Sequence, residues 1–560
     1  MRIHDGISTI RTRGRSVAGA LLVSSALLAF MSPSRAIGID PRIVPRDDLS
    51  LQIAGLIDNS GPLIVEGAIL DRAALAGAYE SRNYEPAWAD HPETATALMN
   101  ALAASAKEGI DPTGIGVGLV ATVLADPTLS PAARDVILTD RFIRYASALA
   151  QGQVDPASTE DDWVLARPAF DPGLALDRVA AGGDVSAIFE SLAPQRAEYG
   201  RLRTALARYT QLAAAGGWQS IPGGSASDPG QAKTILPALR QRLAIEGDLQ
   251  SDQATADEMD AALAAAIRHF QARHGLEADG RIGPATLAAL NVSAIDRVGQ
   301  LRLALERMRA MPHDWPTTRL AVNIPSATVV LFRDDKSVLT SRVVVGDPKH
   351  PTPVLGSAIR SILFNPPWNV PSSIVRNEIQ PRLARDPGYL ERNHFLLVGR
   401  GDGGSADVDW TQTDILANGW RVQQQPGPWN ALGIVMFDFP SPFAVYLHDT
   451  PARSFFALAS RGLSHGCVRV EAANALAGEL LGPSGSPDAI RKIVAGGTSE
   501  RAALAMPMPI YLTYITAFVD ADGTVQFRND LYGRDKRLAA ALLGIEATEP
   551  PRIALSLSRR

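Results

Sequence analysis

Apolar residues in the first part of the chain recur with the spacing of one helix face. Between residues 70 and about 215 this spacing is typical of amphipathic helices, and it is clearest in 133–150, at Val136, Ile137, Ile143 and Leu149. No cluster of catalytic residue types lies in this region. The pattern predicts an α-helical scaffold domain over residues 37–215.

A Gly- and Ser-rich stretch and a compact helical unit follow. Residues 216–230 have the composition of a linker. Within 231–292 apolar residues line two predicted helices, and Gly283 followed by Pro284 opens a last short helix that ends near Asn291. The sequence therefore predicts a helical module over 231–292 and a connecting helix over 293–316.

From Arg319 onwards the spacing changes to alternation. Leu320, Val322 and Ile324 alternate with other residues, which is typical of strands. The pair Asp522-Gly523 stands between two further runs of this kind and is a strong hairpin signal. We predict a β-rich domain over 317–547 and a disordered tail over 548–560.

One long segment, about 370–425, interrupts this β-rich domain. Its first part, 372–385, has a helical pattern, and it becomes Gly-rich at 399–404. Insertions of this length in a compact domain are typically functional, as lids or caps. We predict a capping insertion.

The N-terminus has the order of a targeting segment. Basic residues precede an apolar stretch at 17–31, and Ser34-Arg35-Ala36 has the small-x-small pattern that signal peptidases cut. The stretch is short for a membrane span. We predict a signal peptide over 1–36 and a periplasmic protein, with an uncleaved anchor as the alternative.

Charge argues against a nucleic-acid partner. Residues 1–36 carry five Arg and one Asp, so their removal changes the formal net charge from -5 to -9. An acidic chain has no electrostatic footprint for nucleic acid.

The chain contains one cysteine, Cys467. Exported proteins often carry cysteines in pairs, because their compartment oxidises thiols. A single thiol there is either reactive for a purpose or buried and inert. The neighbouring residues favour the reactive interpretation.

His448 and Cys467, nineteen residues apart, supply the residue types of an acyl-transfer site. His448 follows a predicted strand over 443–447, and Cys467 precedes a predicted helix over 470–481. A thiol attacks carbonyls as the thiolate, which a base or a helix N-terminus favours. We predict that Cys467 is the nucleophile and His448 the base, with the N–H groups of Gly466 and Cys467 facing the oxyanion.

A zinc site is the main chemical alternative. His448, His465 and Cys467 are possible ligands, and Asp449 is a fourth, but the chain has no second cysteine and no helical ligand face here. We therefore predict no metal. For His465 a hydrogen-bonding role beside the site and a purely structural role remain equally open.

These motifs resemble a known family. Ser464-His465-Gly466-Cys467-Val468-Arg469, with a histidine upstream at 448, resembles the signature of L,D-transpeptidase (YkuD-type) catalytic domains. The flanking strings are similar to the large periplasmic branch of that family; they lie at 322–325, 364–371, 426–433 and 530–535. Residues 270–287 resemble the three-helix peptidoglycan-binding module. Met436 and Asp438 depart from the family pattern, in which a basic residue stands nearby.

The resemblance implies a multidomain α+β protein: helical scaffold, peptidoglycan-binding module and β-rich catalytic domain with a capping insertion. It implies that Cys467 attacks the diaminopimelate carbonyl of a peptidoglycan stem tetrapeptide, D-alanine leaves, and the thioester passes to an amine as a 3-3 cross-link. It implies peptidoglycan stem peptides and glycan as partners, carbapenems as inhibitors, and no cofactor. The sequence does not reveal the acceptor or the oligomeric state.

Further residues are expected around the nucleophile. Gly466, His465, Ser464 and Asp449 are expected to support the site or its oxyanion hole. Arg469, Trp368, Trp429 and Tyr446 are expected to contact substrate; the alternatives are a structural pair between Arg469 and Glu471 and core packing for both tryptophans.

Two other functions stay open at this stage. An L,D-carboxypeptidase or endopeptidase of the same fold would replace the acceptor amine by water. A non-catalytic wall-binding protein belongs to a different class, and the intact Cys467, His448 and Gly466 argue against it.

Overall fold

The computed structural model describes residues 47–223, 229–253, 258–399 and 408–544. The predicted signal peptide, the predicted tail and the Gly-rich centre of the insertion lie outside the described residues, except for Gly399. No helix among the described residues is long and apolar enough to cross a membrane.

The first half of the chain is helical. Its helices are α1 Asp48–Ile57, α2 Arg72–Glu80, α3 Pro92–Ala103, α4 Pro112–Ile115, α5 Val117–Ala125, α6 Pro131–Gln151, α7 Pro172–Ala180, α8 Val185–Leu192, α9 Ala197–Ala214, α10 Pro229–Glu246, α11 Ala261–Arg273, α12 Pro284–Leu290 and α13 Ala294–Ala310. A small hairpin, β1 Leu63–Val65 with β2 Ala68–Leu70, is added to them. The helical prediction for this region is confirmed.

Helix α6 is the centre of the first helical group. Nearly all of its side chains are buried. Two of its polar residues are satisfied by α2 and the turn after it: Tyr79 Oη donates to Asp135 at 2.5 Å, and Trp88 Nε1 donates to Thr139 at 2.9 Å. Pairing of this kind lets a polar residue lie inside an apolar core without a desolvation penalty.

Helices α10, α11 and α12 enclose a separate apolar core, which includes Leu239, Leu243, Ile267 and Phe270. Ile221, which lies in the predicted linker, is also buried in this core. Its backbone N–H donates to Asn291 at 2.7 Å. The module therefore begins before residue 231, because the chain leading into it packs against its last turn.

Buried charges join the module to the scaffold. Glu246 of α10 is paired with Arg273 at 2.7 Å, and its carboxylate also accepts a hydrogen bond from Tyr209 of α9 at 2.6 Å. Both Glu246 and Tyr209 are buried. A buried carboxylate with this number of donors fixes the position of the elements that supply them.

The second half of the chain carries most of the strands. These are β3 Arg319–Asn323, β4 Thr328–Arg333, β5 Lys336–Gly346, β6 Leu355–Phe364, β7 Trp368–Asn369, β8 Phe395–Val398, β9 Arg421–Gln424, β10 Val435–Asp438, β11 Leu447–His448, β12 Gly462–Ser464, β13 Val468–Val470, β14 Glu500–Thr513, β15 Ala517–Val519 and β16 Val525–Phe527. The helices of this half are α14 Ser372–Ile374, α15 Gln380–Leu383, α16 Tyr389–Arg392, α17 Ala473–Leu481, α18 Pro487–Ala495 and α19 Arg534–Leu542.

Nine strands form one sheet, in the order β12-β5-β13-β11-β10-β6-β14-β3-β4. Strand β4 also pairs with β5, so the sheet closes into a barrel with β12 added at its rim. The inward-facing side chains of β3 and β4, such as Leu320, Val322 and Leu331, are fully buried. Alternation thus places apolar residues inside and leaves the outer face of each strand for other contacts.

The insertion has a sheet and a core of its own. Strands β7, β9 and β8 form a three-stranded sheet. The apolar core of the insertion includes Val375, Ile379, Leu383, Trp410 and Ile415. The predicted helix at 372–385 is present as α14 and α15 with a wide π-helical turn, Val375–Ile379, between them.

Two local predictions differ from the structure. The predicted strand over 443–447 is a loop up to Tyr446, because the Ser441 side chain caps a turn there and Ala444 has φ 51°. The predicted helix over 470–481 begins only at α17, since Val470 still pairs with β5. The hairpin around Asp522-Gly523 is confirmed as β15 and β16.

Buried arginines join the scaffold to the barrel. Arg534 at the start of α19 is paired with Glu160 at 2.7 Å and with Asp162 at 2.5 Å, and Arg307 of α13 is paired with Asp535. Arg534 and Glu160 are both buried. Removing one member of such a pair leaves the other charge without compensation in a region of low dielectric.

We therefore expect Arg534→Ala to destabilise the protein by about 3–5 kcal/mol, measured as a lower unfolding midpoint in denaturant. The matched control is Arg491→Ala, whose partner Asp488 is 87% exposed, and which should cost no more than about 1 kcal/mol. Equal midpoints for the two variants would contradict a structural role for the buried pair.

Candidate active site

A short parallel pairing brings the two predicted catalytic residues together. Strands β11 and β13 pair with Leu447 beside Val468 and His448 beside Arg469. Residues directly opposite in a parallel pair share a face, and faces alternate along each strand. Leu447 and Val468 are fully buried in the barrel. His448, Cys467 and Arg469 therefore share the outer face, with Cys467 and His448 as diagonal neighbours.

Cys467 is a half-buried free thiol. Its Sγ lies 4.0 Å from the carbonyl oxygen of Ala444. Burial raises the pKa of the thiol, and the backbone N–H of Tyr446 and the charge of Arg469 act in the opposite direction. The resting side chain is thus a neutral thiol, and deprotonation requires a base at the moment of attack.

The predicted helix dipole does not act on this thiol. Cys467 lies between β12 and β13, and the next helix, α17, starts six residues later, at Ala473. The prediction of activation by a helix N-terminus is wrong, because the residues after Cys467 complete the barrel instead.

His448 has the geometry of a neutral base. Its Nδ1 lies 2.5 Å from the carbonyl oxygen of Asp449. Since a carbonyl oxygen only accepts, Nδ1 carries the proton and Nε2 keeps the lone pair. The side chain is buried. Burial, and after it the positive charge of Arg469, lowers the pKa of His448 to about 4. Hydrogen bonds to the backbone of Asp449 and Leu432 raise this pKa, but by less. His448 is therefore neutral at physiological pH and able to accept a proton.

Ser464 holds the loop that carries the nucleophile. Its buried hydroxyl donates to the carbonyl oxygen of Cys467 at 2.5 Å and accepts from the Gly466 N–H at 3.1 Å. Gly466 has φ 105°, a conformation that strongly favours glycine. The expectation that the Gly466 N–H faces an oxyanion is wrong, because that N–H is already bound. The N–H of Cys467 has no partner among the described residues and remains the candidate oxyanion donor.

A residue that the sequence analysis missed also fixes this loop. The buried Thr352 hydroxyl donates to the Gly466 carbonyl oxygen at 2.8 Å and accepts from the Gly346 N–H at 2.9 Å. Tyr532 Oη in turn donates to the Gly346 carbonyl at 2.7 Å. No local motif surrounds Thr352, which lies 114 positions before Gly466, so only the folded barrel reveals this contact.

Arg469 has no acidic partner among the described residues. Glu471, its expected alternative partner, is paired with Arg342 at 2.6 Å. The guanidinium of Arg469 lies 5.9 Å from the ring centre of Phe455. The structural pair with Glu471 is therefore wrong, and Arg469 leaves a positive charge beside Cys467 that is available to an anion.

Asp449 supports His448 through its backbone only. Its carboxylate accepts from the Ile434 N–H at 3.2 Å and is paired with Arg453 at 3.0 Å. A Cβ on Gly433 would lie 2.4 Å from this carboxylate, so glycine is needed at that position.

His465 points away from His448, towards the insertion. Its Nε2 lies 2.8 Å from the Glu378 carboxylate, and its ring centre lies 4.8 Å from that of His350. The side chain is 42% exposed. His465 thus contacts the insertion rather than the base.

The three aromatic residues expected near the substrate have different surroundings. Trp368 packs against the core of the insertion, 6.2 Å from Phe395 between ring centres. Trp429 is exposed and stacks on His394 at 3.7 Å. Tyr446 is half-buried, and burial followed by Cys467 and Asp438 raises the pKa of its hydroxyl. Only Tyr446 lies directly beside the nucleophile.

The described residues contain no group of three His, Cys, Asp or Glu side chains arranged to hold a metal ion.

Family comparisons agree with this arrangement. Residues 317–490 match the family described as "L,D-transpeptidase catalytic domain". This part of the chain is thus similar to L,D-transpeptidase catalytic domains. Residues 236–290 match "Putative peptidoglycan binding domain" and residues 73–206 match "Scaffold domain".

A curated relative supports the same family. The chain is 35% identical over 245 residues to a Haemophilus influenzae protein named "Putative L,D-transpeptidase", which covers 43% of this chain and 49% of that protein. The chain thus spans about half the length of this relative.

Two solved structures are similar to parts of the chain. One is L,D-transpeptidase (Yku) from Stackebrandtia nassauensis, with 15% identity, TM-score 0.20, and coverage of 50% of this chain and 90% of that chain. The other is the Ldtfm–avibactam carbamoyl enzyme, with 11% identity, TM-score 0.17, and coverage of 40% and 64%.

The electrostatics of the L,D-transpeptidase domain predict an unusual titration of Cys467. We expect the rate of its alkylation by iodoacetamide to rise with a midpoint above the ordinary cysteine pKa of about 8.5, because burial disfavours the thiolate. Mass spectrometry of the modified chain, with Cys467→Ala as the unlabelled control, measures this rate. A midpoint below neutral pH would instead show a preformed thiolate–imidazolium pair.

Proposed function

We propose that the protein is a peptidoglycan L,D-transpeptidase that uses Cys467 as its nucleophile. The observation that carries this proposal is the β11–β13 pairing, which puts a neutral imidazole and a thiol on one face with an unpaired arginine beside them. A thiol, an adjacent base and a positive charge are the parts that acyl transfer requires.

The first half-reaction is acylation of the thiol. His448 Nε2 takes the proton of Cys467 while Sγ bonds to the diaminopimelate carbonyl carbon of a stem tetrapeptide. The carbonyl oxygen becomes an oxyanion, for which the Cys467 N–H is the nearest unbound donor. The imidazolium then protonates the amine of D-alanine, which leaves as the C–N bond breaks, and a thioester remains.

The second half-reaction regenerates the thiol. The side-chain amine of a second stem attacks the thioester carbonyl, and His448 accepts its proton. The C–S bond breaks, the thiolate recovers a proton from His448, and a 3-3 cross-link is the product. Peptide-bond energy is conserved in the thioester, so the reaction needs no nucleotide and no cofactor.

The charges of the site support an anionic substrate. Arg469 follows Cys467 by two residues on the same face and is half-buried without an acid partner. Burial lowers the pKa of its guanidinium, and the thiol at Cys467 acts against this. A desolvated guanidinium binds a carboxylate more strongly than an exposed one. We propose that Arg469 binds one of the carboxylates that stem peptides carry.

The other domains suggest how the enzyme works on the cell wall. We propose that the exported protein acts in the periplasm, that the module holds it near peptidoglycan, and that the scaffold holds the module against the catalytic domain. The buried pairing of Glu246 with Arg273 and Tyr209 supports a fixed module rather than a free one.

Cys467→Ala should abolish cross-linking and leave the fold intact, because the two side chains differ little in size and stability should change by only about 1 kcal/mol. Purified protein is incubated with tetrapeptide muropeptides, and the products are weighed by mass spectrometry. Dimers with loss of D-alanine support transpeptidation, whereas tripeptide alone would show a carboxypeptidase. Cross-linking by the Cys467→Ala protein would refute the assignment of the nucleophile.

A carbapenem should acylate the wild-type protein once, at Cys467, because a thiolate that forms a thioester also opens a strained β-lactam ring. Intact-mass spectrometry follows the adduct over time. We expect no adduct with Cys467→Ala and acylation slowed by about a hundredfold or more with His448→Ala, which lacks the base. His465→Ala should lose far less, since His465 contacts the insertion and not the thiol. Equal losses for the two histidine variants would contradict the assignment of His448 as the base.

A further inference from the structure

The insertion has its own sheet and its own apolar core, and two of its contacts reach the barrel. One contact is its base, where Gln424 donates to the Trp429 carbonyl at 3.4 Å and accepts from the Ala431 N–H at 2.9 Å, and where His394 stacks on Trp429. Because the base is a single attachment, a second contact would fix the angle between the insertion and the barrel.

The second contact is the ion pair between Glu378 and His465. Glu378 lies in the π-helical turn Val375–Ile379, and its Oε1 is 2.8 Å from His465 Nε2. Among the described residues, it is the only ion pair between the insertion and the rest of the catalytic domain. Both side chains are partly exposed, at 33% and 42%.

The groups behind this pair hold it in place. On the barrel side the His465 ring lies against that of His350, whose Nδ1 is 3.1 Å from the Asp347 carboxylate. On the insertion side Arg382 lies 3.6 Å from the other oxygen of Glu378. Each member of the pair is therefore oriented by a neighbour within its own body.

The position of His465 links the contact with Glu378 to Cys467. It precedes Gly466 and Cys467, in a loop whose other end is fixed by Ser464 and Thr352. The contact with Glu378 therefore brings the insertion to a residue that lies only two positions before Cys467.

We propose that Glu378 is a positioning residue that acts through His465 and holds the insertion closed over Cys467. The purpose of this closure rests on the proposed function, because a closed insertion would keep water from the thioester until an amine arrives. The contact between Glu378 and His465 is expected to limit how large a reagent can reach the Cys467 thiol, so the experiment measures this access.

The experiment compares two thiol reagents on the full-length protein. Iodoacetamide is small, and a maleimide that carries a polyethylene glycol chain is too large to pass under a closed insertion. The readout is the ratio of the two rates of modification at Cys467, because a change in intrinsic thiol reactivity alters both rates and leaves their ratio constant.

We expect Glu378→Ala and His465→Ala each to raise this ratio about two- to fivefold, the size of effect of one partly exposed ion pair. The double variant should raise it no further, because residues that act through one another are not additive. Glu378→Gln keeps an acceptor oxygen and should lie between Glu378→Ala and the wild type. Glu391→Ala, an exposed acid of the same insertion without an ion pair, is the matched control and should leave the ratio unchanged.

A ratio that stays at the wild-type value in Glu378→Ala would overturn the proposal, as would additive effects in the double variant. These results do not depend on transpeptidation. If the protein shows the expected ratios but forms no cross-links, the positioning role of Glu378 stands and the proposed function is refuted. If it forms cross-links but the ratios do not change in the variants, the proposed function stands and the positioning role is refuted.

Discussion

The candidate site depends on a parallel ladder of two residue pairs, Leu447 with Val468 and His448 with Arg469. In this register one side of the ladder is the fully buried apolar surface of Leu447 and Val468, and the other side carries the thiol, the imidazole and the guanidinium. A shift of one residue would exchange the two sides, placing a charge in the barrel and two aliphatic residues at the site. The apolar core therefore enforces the catalytic geometry, and the rest of the barrel serves to hold this register.

The same reasoning extends to the domains around the barrel, where buried charges add to apolar contacts such as that of Leu303 with Leu538. Arg534 and Arg307 reach from α19 and α13 to Glu160, Asp162 and Asp535. Charges buried in this way stabilise only one arrangement of the elements that carry them, because any other arrangement leaves a charge without a partner. Helix α13 is consequently more than the connecting helix that its place in the sequence indicates, since it lies between scaffold and barrel and contacts both.

The sequence predicted the regular elements well wherever a periodic pattern extended over several turns or strands. Helix α6 was found in this way, whereas the β15–β16 hairpin was found from its Asp522-Gly523 turn. Several of the errors lie within a few residues of Cys467, where elements are two or three residues long and no period can be measured.

There, long-range contacts decide the structure. Val470 is a strand residue because it pairs with Val343, more than a hundred positions earlier, and this pairing removes the expected helix dipole. The Gly466 N–H is bound by Ser464, so the local prediction about the oxyanion also failed. Glu471 is paired with Arg342, which removes the alternative of a structural pair with Arg469. Cys467 and His448 could be proposed as nucleophile and base because residue type marks them, whereas the groups that surround them depend on the fold.

The structure suggests a different mode of activation from the one that the helix dipole implied. Burial raises the pKa of Cys467 and lowers that of His448, so both residues rest in their neutral forms. The proton then moves only when a bound carbonyl accepts the electron pair of sulfur. For an enzyme that is exported as proposed, this has an advantage, because oxidants react with thiolates far faster than with thiols. A single cysteine that stays protonated until substrate arrives can survive in a compartment that oxidises exposed thiolates, and the insertion held at His465 by Glu378 adds a steric barrier to the electrostatic one.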